Sequence, residues 1–180
     1  MKFEHNNISP LDNRYSSKIL DTRLCFSEAE LIKQRFIIEI DWLIYLCDKH
    51  PKHFLKISNT LKNKLSIFKN QFSDKYVLKI KKIEKKTNHD VKAIEYYLHT
   101  RIKKELHAWI HFGLTSEDIN NLCYTLMWKD SIENEYIKIL IKVIDELKLI
   151  SKKYKNISLL SLTHGQPASP TTVGKEFAVF

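Results

Sequence analysis

From Ser27 onward, apolar residues recur every three or four positions, the period of a helix that buries one face. Leu31, Ile38, Trp42, Tyr45 and Leu46 keep this period until Pro51, and Ser27 with Glu30 has the pattern of a capping box. A second helix is predicted from Pro51 to about Phe72, through Phe54, Leu55, Ile57, Leu61, Leu65 and Phe68. A third starts after Ser73 and Asp74, runs through Val77, Ile80 and Ile83, and dissolves before Thr87. A fourth follows Asp90 with Val91, Ile94, Tyr97, Leu98 and Ile102, and Asn88 or Asp90 is its expected cap. Residues 1–26 sustain no period; Pro10, Asp12 and Asn13 mark a turn.

The longest predicted element opens at Thr115-Ser116-Glu117-Asp118. Thr115 with Asp118 fits a capping box, and acids in the first turn complement the helix dipole. Apolar residues then recur from Ile119 to Tyr154, with no Pro or Gly before Gly165. The pattern predicts one helix of up to about 38 residues, ~57 Å at the helical rise. Such a helix overhangs a globule of this size, so its apolar stripe must pack against partners this chain does not obviously contain. No internal repeat or low-complexity linker interrupts the chain.

Composition sharpens the class. Only 3 Gly and 4 Pro occur in 180 residues, too few for the hairpins and bulges of a sheet-rich protein. The expectation is an all-α chain. The net charge of +9 invites a nucleic-acid reading. Its make-up, 26 Lys against 4 Arg with 22 Ile and 11 Asn, argues for codon bias in an A+T-rich genome. Arginine, the residue suited to bidentate phosphate and base contacts, is nearly absent. Cys25, Cys47 and Cys123 are odd in number, lack CxxC spacing and sit among apolar neighbours, so buried reduced thiols are expected. The N-terminus has no apolar leader core, and Glu39 and Asp41 interrupt the most apolar stretch. These features predict a cytoplasmic protein with no membrane or nucleic-acid partner.

All three glycines, Gly113, Gly165 and Gly174, fall in polar, non-periodic segments of the last 70 residues. Such segments suit a site built on rigid supports. His164, in Thr163-His164-Gly165-Gln166-Pro167-Ala168, is expected at a helix junction with its ring aimed into a cleft, a new helix starting after Pro170. A histidine there suits general acid–base work, and equally an ordinary turn with a satisfied hydrogen bond. Thr87-Asn88-His89-Asp90 is either a plain helix cap or a histidine with a carboxylate neighbour lining the same cleft. Thr115 and Ser116 either cap the long helix or offer hydroxyls and N–H groups to an anion. His107 and His111 have the spacing of two metal ligands, but no third ligand accompanies them and no metal site is expected. There is no GxGxxG, P-loop, GxSxG or CxxC.

Four segments in order, ISPLDNRY (8–15), KTNHDVKAIEYYL (86–98), IHFGLTSEDINNL (110–122) and SLTHGQPASPTTVGKE (161–176), resemble the N-terminal part of the adenylosuccinate lyases. That family belongs to the fumarase/aspartase superfamily, and the resemblance runs almost end to end. The long form of NHDVKAIEYYL resembles the bacterial purine-pathway branch.

The resemblance implies C–N cleavage by β-elimination. Fumarate leaves adenylosuccinate, giving AMP, or leaves the succinyl-carboxamide ribotide of purine synthesis. A base takes the proton beside a carboxylate, and an acid protonates the departing nitrogen. It implies that His164 is that acid and that Arg14 and Tyr15 contact the nucleotide. Asn88, His89 and Asp90 would bind substrate, and Thr115 and Ser116 would hold the succinyl carboxylates. No metal or organic cofactor is implied. The family's general base is a serine on a later loop whose signature is missing from these 180 residues. Family members are homotetramers whose sites draw on three chains. The expected organisation is therefore a small helical domain, 1–112, and an incomplete start of the central bundle, 113–180, inactive alone. Two other classes stay open: a non-catalytic remnant of a truncated lyase gene, and a basic helical nucleic-acid binder.

Overall fold

The computed structural model describes residues 9–180. The expectation of no leader segment falls on the first eight residues and, like Ile8 of the first motif, lies outside the described part. Two 3-10 turns, Pro10–Asp12 and Ser16–Lys18, precede helices α1 (Leu20–Phe26), α2 (Glu28–Lys49), α3 (Asn59–Asn70), α4 (Asp74–Thr87) and α5 (Asp90–His99). A 3-10 stretch, Lys104–Trp109, leads to α6 (Ser116–Ser131), a π-helical turn (Ile132–Tyr136) and α7 (Ile137–Lys153). Strands β1 (Ser158–Thr163) and β2 (Gln166–Thr172) and helix α8 (Val173–Ala178) complete the chain. The chain divides into two compact units, one up to Asp130 and one from Ser131 to Phe180.

Local chemistry explains the helix starts, with some departures from the pattern. Ser27 Oγ accepts from the Glu30 N–H at 3.2 Å and caps α2. The reciprocal half of the box is not made. Ser27 N–H is taken by the Arg23 carbonyl because α1, unforeseen in the sequence, ends there. Glu30 instead takes Lys33 and Gln34. The second predicted helix starts eight residues late: Pro51–His53 is a turn, and Ser58 Oγ caps α3 by accepting from Leu61 N–H. Neither Asn88 nor Asp90 caps α5. Asn88 closes α4 in the left-handed region at φ 51°, and His89 Nδ1 accepts from Lys92 N–H at 3.2 Å. The Thr115 box is complete: Asp118 N–H donates to Thr115 Oγ1, and Thr115 N–H donates to Asp118 Oδ2 at 2.7 Å.

The first unit is built on α2. Phe36, fully buried, lies 5.1 Å ring to ring from both Phe68 of α3 and Phe72, with Tyr76 of α4 and Tyr97 of α5 close by. Ile40, Leu43, Ile80, Ile94, Leu98 and Leu106 fill the rest of this core. A second cluster joins Ile38 of α2 to Ile119, Cys123 and Met127 of α6. All three cysteines are buried, as expected.

In the second unit, β1 and β2 form an antiparallel hairpin with Thr163 opposite Gln166. Among the described residues this hairpin is the one addition to the helices, and low glycine content gave no sign of it. The pairing shifts register between Leu160 and Leu162, opposite Pro170 and Pro167. A bulge there accommodates two prolines that have no N–H to give. The helix expected after Pro170 begins only at Val173. Gly174 lets α8 meet the end of α7: a Cβ there would stand 2.3 Å from the Ser151 carbonyl oxygen, and Ser151 Oγ donates to the Gly174 carbonyl. The predicted helix from residue 115 to 154 is realised as helical backbone from Ser116 to Lys153, broken in period by the π turn. Helix α7 buries no residue; Ile139 and Leu149 are about 60% exposed. No described helix is long and apolar enough to cross a membrane.

Because Phe36 anchors one core and Leu149 touches none, their truncations should differ. Phe36→Ala is expected to cost about 3–5 kcal/mol in urea unfolding, whereas Leu149→Ala stays within about 0.5 kcal/mol.

Candidate functional site

In the first unit, three polar segments converge on one face of α2. Arg35 and Glu39 stand one helical turn apart on that helix, 5% and 0% exposed. Charges so deeply placed persist only when paired. The Arg35 Nη1 donates to Asp90 Oδ2 at 2.7 Å, and its Nε donates to Asn120 Oδ1 at 2.9 Å. Glu39 grips the turn before α6 twice. Its Oε1 lies 2.6 Å from His111 Nδ1, and its Oε2 accepts from the His111 N–H at 3.1 Å. His111 sits at φ 59°, a backbone state that single residues adopt only where the surroundings fix it. Trp42 Nε1 donates to the Phe112 carbonyl at 2.9 Å and fastens the same turn to α2.

The predicted residues distribute as follows. His89 and Asp90 open α5; the His89 ring is half exposed, with Nδ1 accepting a backbone N–H and Nε2 left as the other nitrogen. For Asp90, burial pushes the carboxyl pKa up, but the Val91 N–H and Arg35 outweigh it and hold it below the ordinary value. Asn88 is exposed. Thr115 is exposed and already serves the α6 cap, its hydroxyl donating to Asp118 Oδ2 at 2.9 Å; Ser116 is half-buried. The two Thr115 hydrogen bonds, backbone first, hold the Asp118 carboxyl below its usual range. Arg14 and Tyr15 lie exposed between the two 3-10 turns, the guanidinium 5.5 Å from the Tyr15 ring centre. Thus Arg35 ties the Asp90 segment to α6.

His164 belongs to the second unit and departs from expectation. It occupies no helix junction. The apolar run before it is β1, so His164 and Gly165, at φ 51° and 76°, form the two-residue turn of the hairpin. Two successive positive φ values are the requirement of the tightest hairpin turn, with glycine supplying the second. The ring is exposed at the hairpin tip rather than aimed into a cleft.

His107 and His111 do not converge. His107 stacks on His99 at 4.3 Å and its Nε2 meets the Ile102 carbonyl, whereas His111 turns to Glu39. Among the described residues no group of metal-ligating side chains forms.

Arg35, Glu39 and Asn120 were missed in the sequence, and His111 was weighed only as a metal ligand. A signal existed: Arg35 and Glu39, four apart, recur at helical spacing with the apolar Ile32, Leu43 and Leu46, which marks charges on the buried face that need partners.

The lyase family profile matches residues 46–180. The chain is 44% identical over 178 residues to the adenylosuccinate lyase of Buchnera aphidicola subsp. Baizongia pistaciae, covering 96% of this chain and 38% of that protein. It is 43% identical to the Vibrio cholerae adenylosuccinate lyase and 41% identical to that of Escherichia coli K12, each over 95% of this chain and 39% of theirs. The chain belongs to this lyase family, of the helical fumarase/aspartase type. It spans about two fifths of the length of these curated relatives.

The Glu39 carboxylate raises the His111 pKa by hydrogen bonding, against burial, which lowers it. A raised folded pKa means the charged pair stabilises the fold fully below the unfolded value of about 6.5. That contribution is lost as pH rises through the raised folded value. Glu39→Gln should lower the His111 pKa in a ring-proton NMR titration. Its stability deficit in urea should be largest below about pH 6.5 and shrink at higher pH; a deficit independent of pH contradicts the pairing.

Proposed function

We propose that the chain is the N-terminal portion of an adenylosuccinate lyase acting in purine synthesis, with a purine nucleotide as its small-molecule substrate. The observation that carries the reading is the run of four motifs in family order within a match covering 96% of the chain. The reaction is β-elimination: the C–N bond breaks, fumarate departs with the new double bond, and the nitrogen takes a proton. His164 supplies that proton. Its place on a two-residue turn with both φ angles in the left-handed region supports this, because such a turn sets the direction of the ring's backbone. Asn88, His89 and Asp90 bind substrate, Thr115 and Ser116 hold its carboxylates, and Arg14 and Tyr15 contact the nucleotide. The Ser116 hydroxyl stands at the first residue of α6, and a helix N-terminus favours an anion.

No metal or organic cofactor takes part. The base is the family's loop serine, outside these 180 residues, and the division at 112/113 marks the passage from the first domain to the bundle. The uncovered apolar residues of α7 support assembly into a tetramer, with the site completed by other chains.

Incubated alone with adenylosuccinate, the purified chain should release no fumarate; turnover at rates typical of the relatives contradicts the reading. In a chimera where residues 1–180 replace the matching segment of the Escherichia coli relative, elimination should be restored. His164→Gln in that chimera should abolish fumarate release with substrate binding largely kept, and near-normal turnover would rule out His164 as the acid.

A further inference from the structure

We infer that Arg35 is a positioning residue that sets the Asn88–Asp90 segment and the Thr115–Ser116 segment at a fixed separation. This rests on the reading of those segments as substrate-binding. One guanidinium, 5% exposed, joins them: Nη1 holds Asp90 at the first residue of α5, and Nε holds Asn120 one turn inside α6. The connection between Asp90 and Asn120 runs through the arginine. Its two donor nitrogens belong to one rigid plane, which fixes distance and angle together; a lysine, a point charge on a flexible stem, cannot reproduce both.

Each arm continues into a proposed substrate segment. Asp90 Oδ1 accepts from Val91 N–H at 2.9 Å, and the neighbouring His89 caps the same turn. On the other side Asn120 lies four residues after Ser116, in the first turns of the helix that Thr115 and Asp118 cap. Arg35 itself is buried behind both segments and acts only through them. A cation whose sole purpose was to pair with Asp90 would have no need of the second bond.

The test uses isotope-labelled 180-residue chain without any ligand, so it is independent of whether the substrate reading holds. Asn120→Ala leaves Arg35 and Asp90 in place. It should nonetheless shift the His89 and Asp90 amide resonances and reduce exchange protection of the Lys92 N–H by about tenfold, the equivalent of one charged hydrogen bond. Asp90→Asn should shift the Thr115, Ser116 and Asp118 amides in the same way, across the arginine. In both variants the core amides of Ile40 and Ile80 keep their shifts and protection. Arg35→Lys should keep the depressed Asp90 titration but lose the coupling. If Asn120→Ala leaves the start of α5 unmoved, or Asp90→Asn leaves the start of α6 unmoved, Arg35 is an ion-pair partner only and the inference fails. It also fails if either variant disturbs the core amides equally, since the arginine would then be merely structural.

Discussion

Two buried charges on α2 organise the first unit. A fully buried carboxylate and a nearly buried guanidinium would each cost several kcal/mol if left alone. Neither can be solvated where it stands, so the chain must bring partners to it. Glu39 draws in His111 and its backbone, and Arg35 draws in Asp90 and Asn120. The turn before α6 and the starts of α5 and α6 therefore meet on the same helix. The aromatic packing around Phe36 secures the adjoining face of α2 through α3, α4 and α5. Apolar burial supplies the stability of this unit, and the polar crossing supplies its register.

The second unit is held differently. Its contacts include the hairpin ladder, the approach of Gly174 to Ser151, the Ser151 hydrogen bond, and the Gly174 N–H donated to the Tyr154 carbonyl. A two-stranded hairpin is marginal by itself, and α7 buries none of its apolar residues within the chain. What this unit fixes well is local, above all the turn that carries His164. Proposed acid and proposed substrate segments thus sit on supports of different kinds, one on a hairpin tip and the other on a buried ionic crossing.

Much of this was legible along the chain. The limits of α4 and the capping box of α6 follow from spacing and from side chains that satisfy the first N–H groups. Those determinants lie within a few residues of one another. Where two nearby side chains competed for one role, the pattern misled. His89 displaced Asn88 and Asp90 as cap, since Asn88 was taken by the end of α4 and Asp90 by Arg35. The delayed start of α3 and the unforeseen α1 arose where apolar residues were read as continuous helix or as none. The motif residues were found without geometry, but their supports were not.

By itself, then, the sequence determined the helical class, the principal helices, the buried reduced cysteines and the segments that place the chain in its family. These depend on period, capping and residue identity, all short-range properties. Only the tertiary structure decided that Arg35 and Glu39 are the centre of the polar crossing and that His164 stands on a hairpin rather than between helices. Both outcomes rest on pairings between residues far apart in the chain. Arg35 meets Asn120 across 85 positions, and no local spacing encodes which partner a buried charge will find.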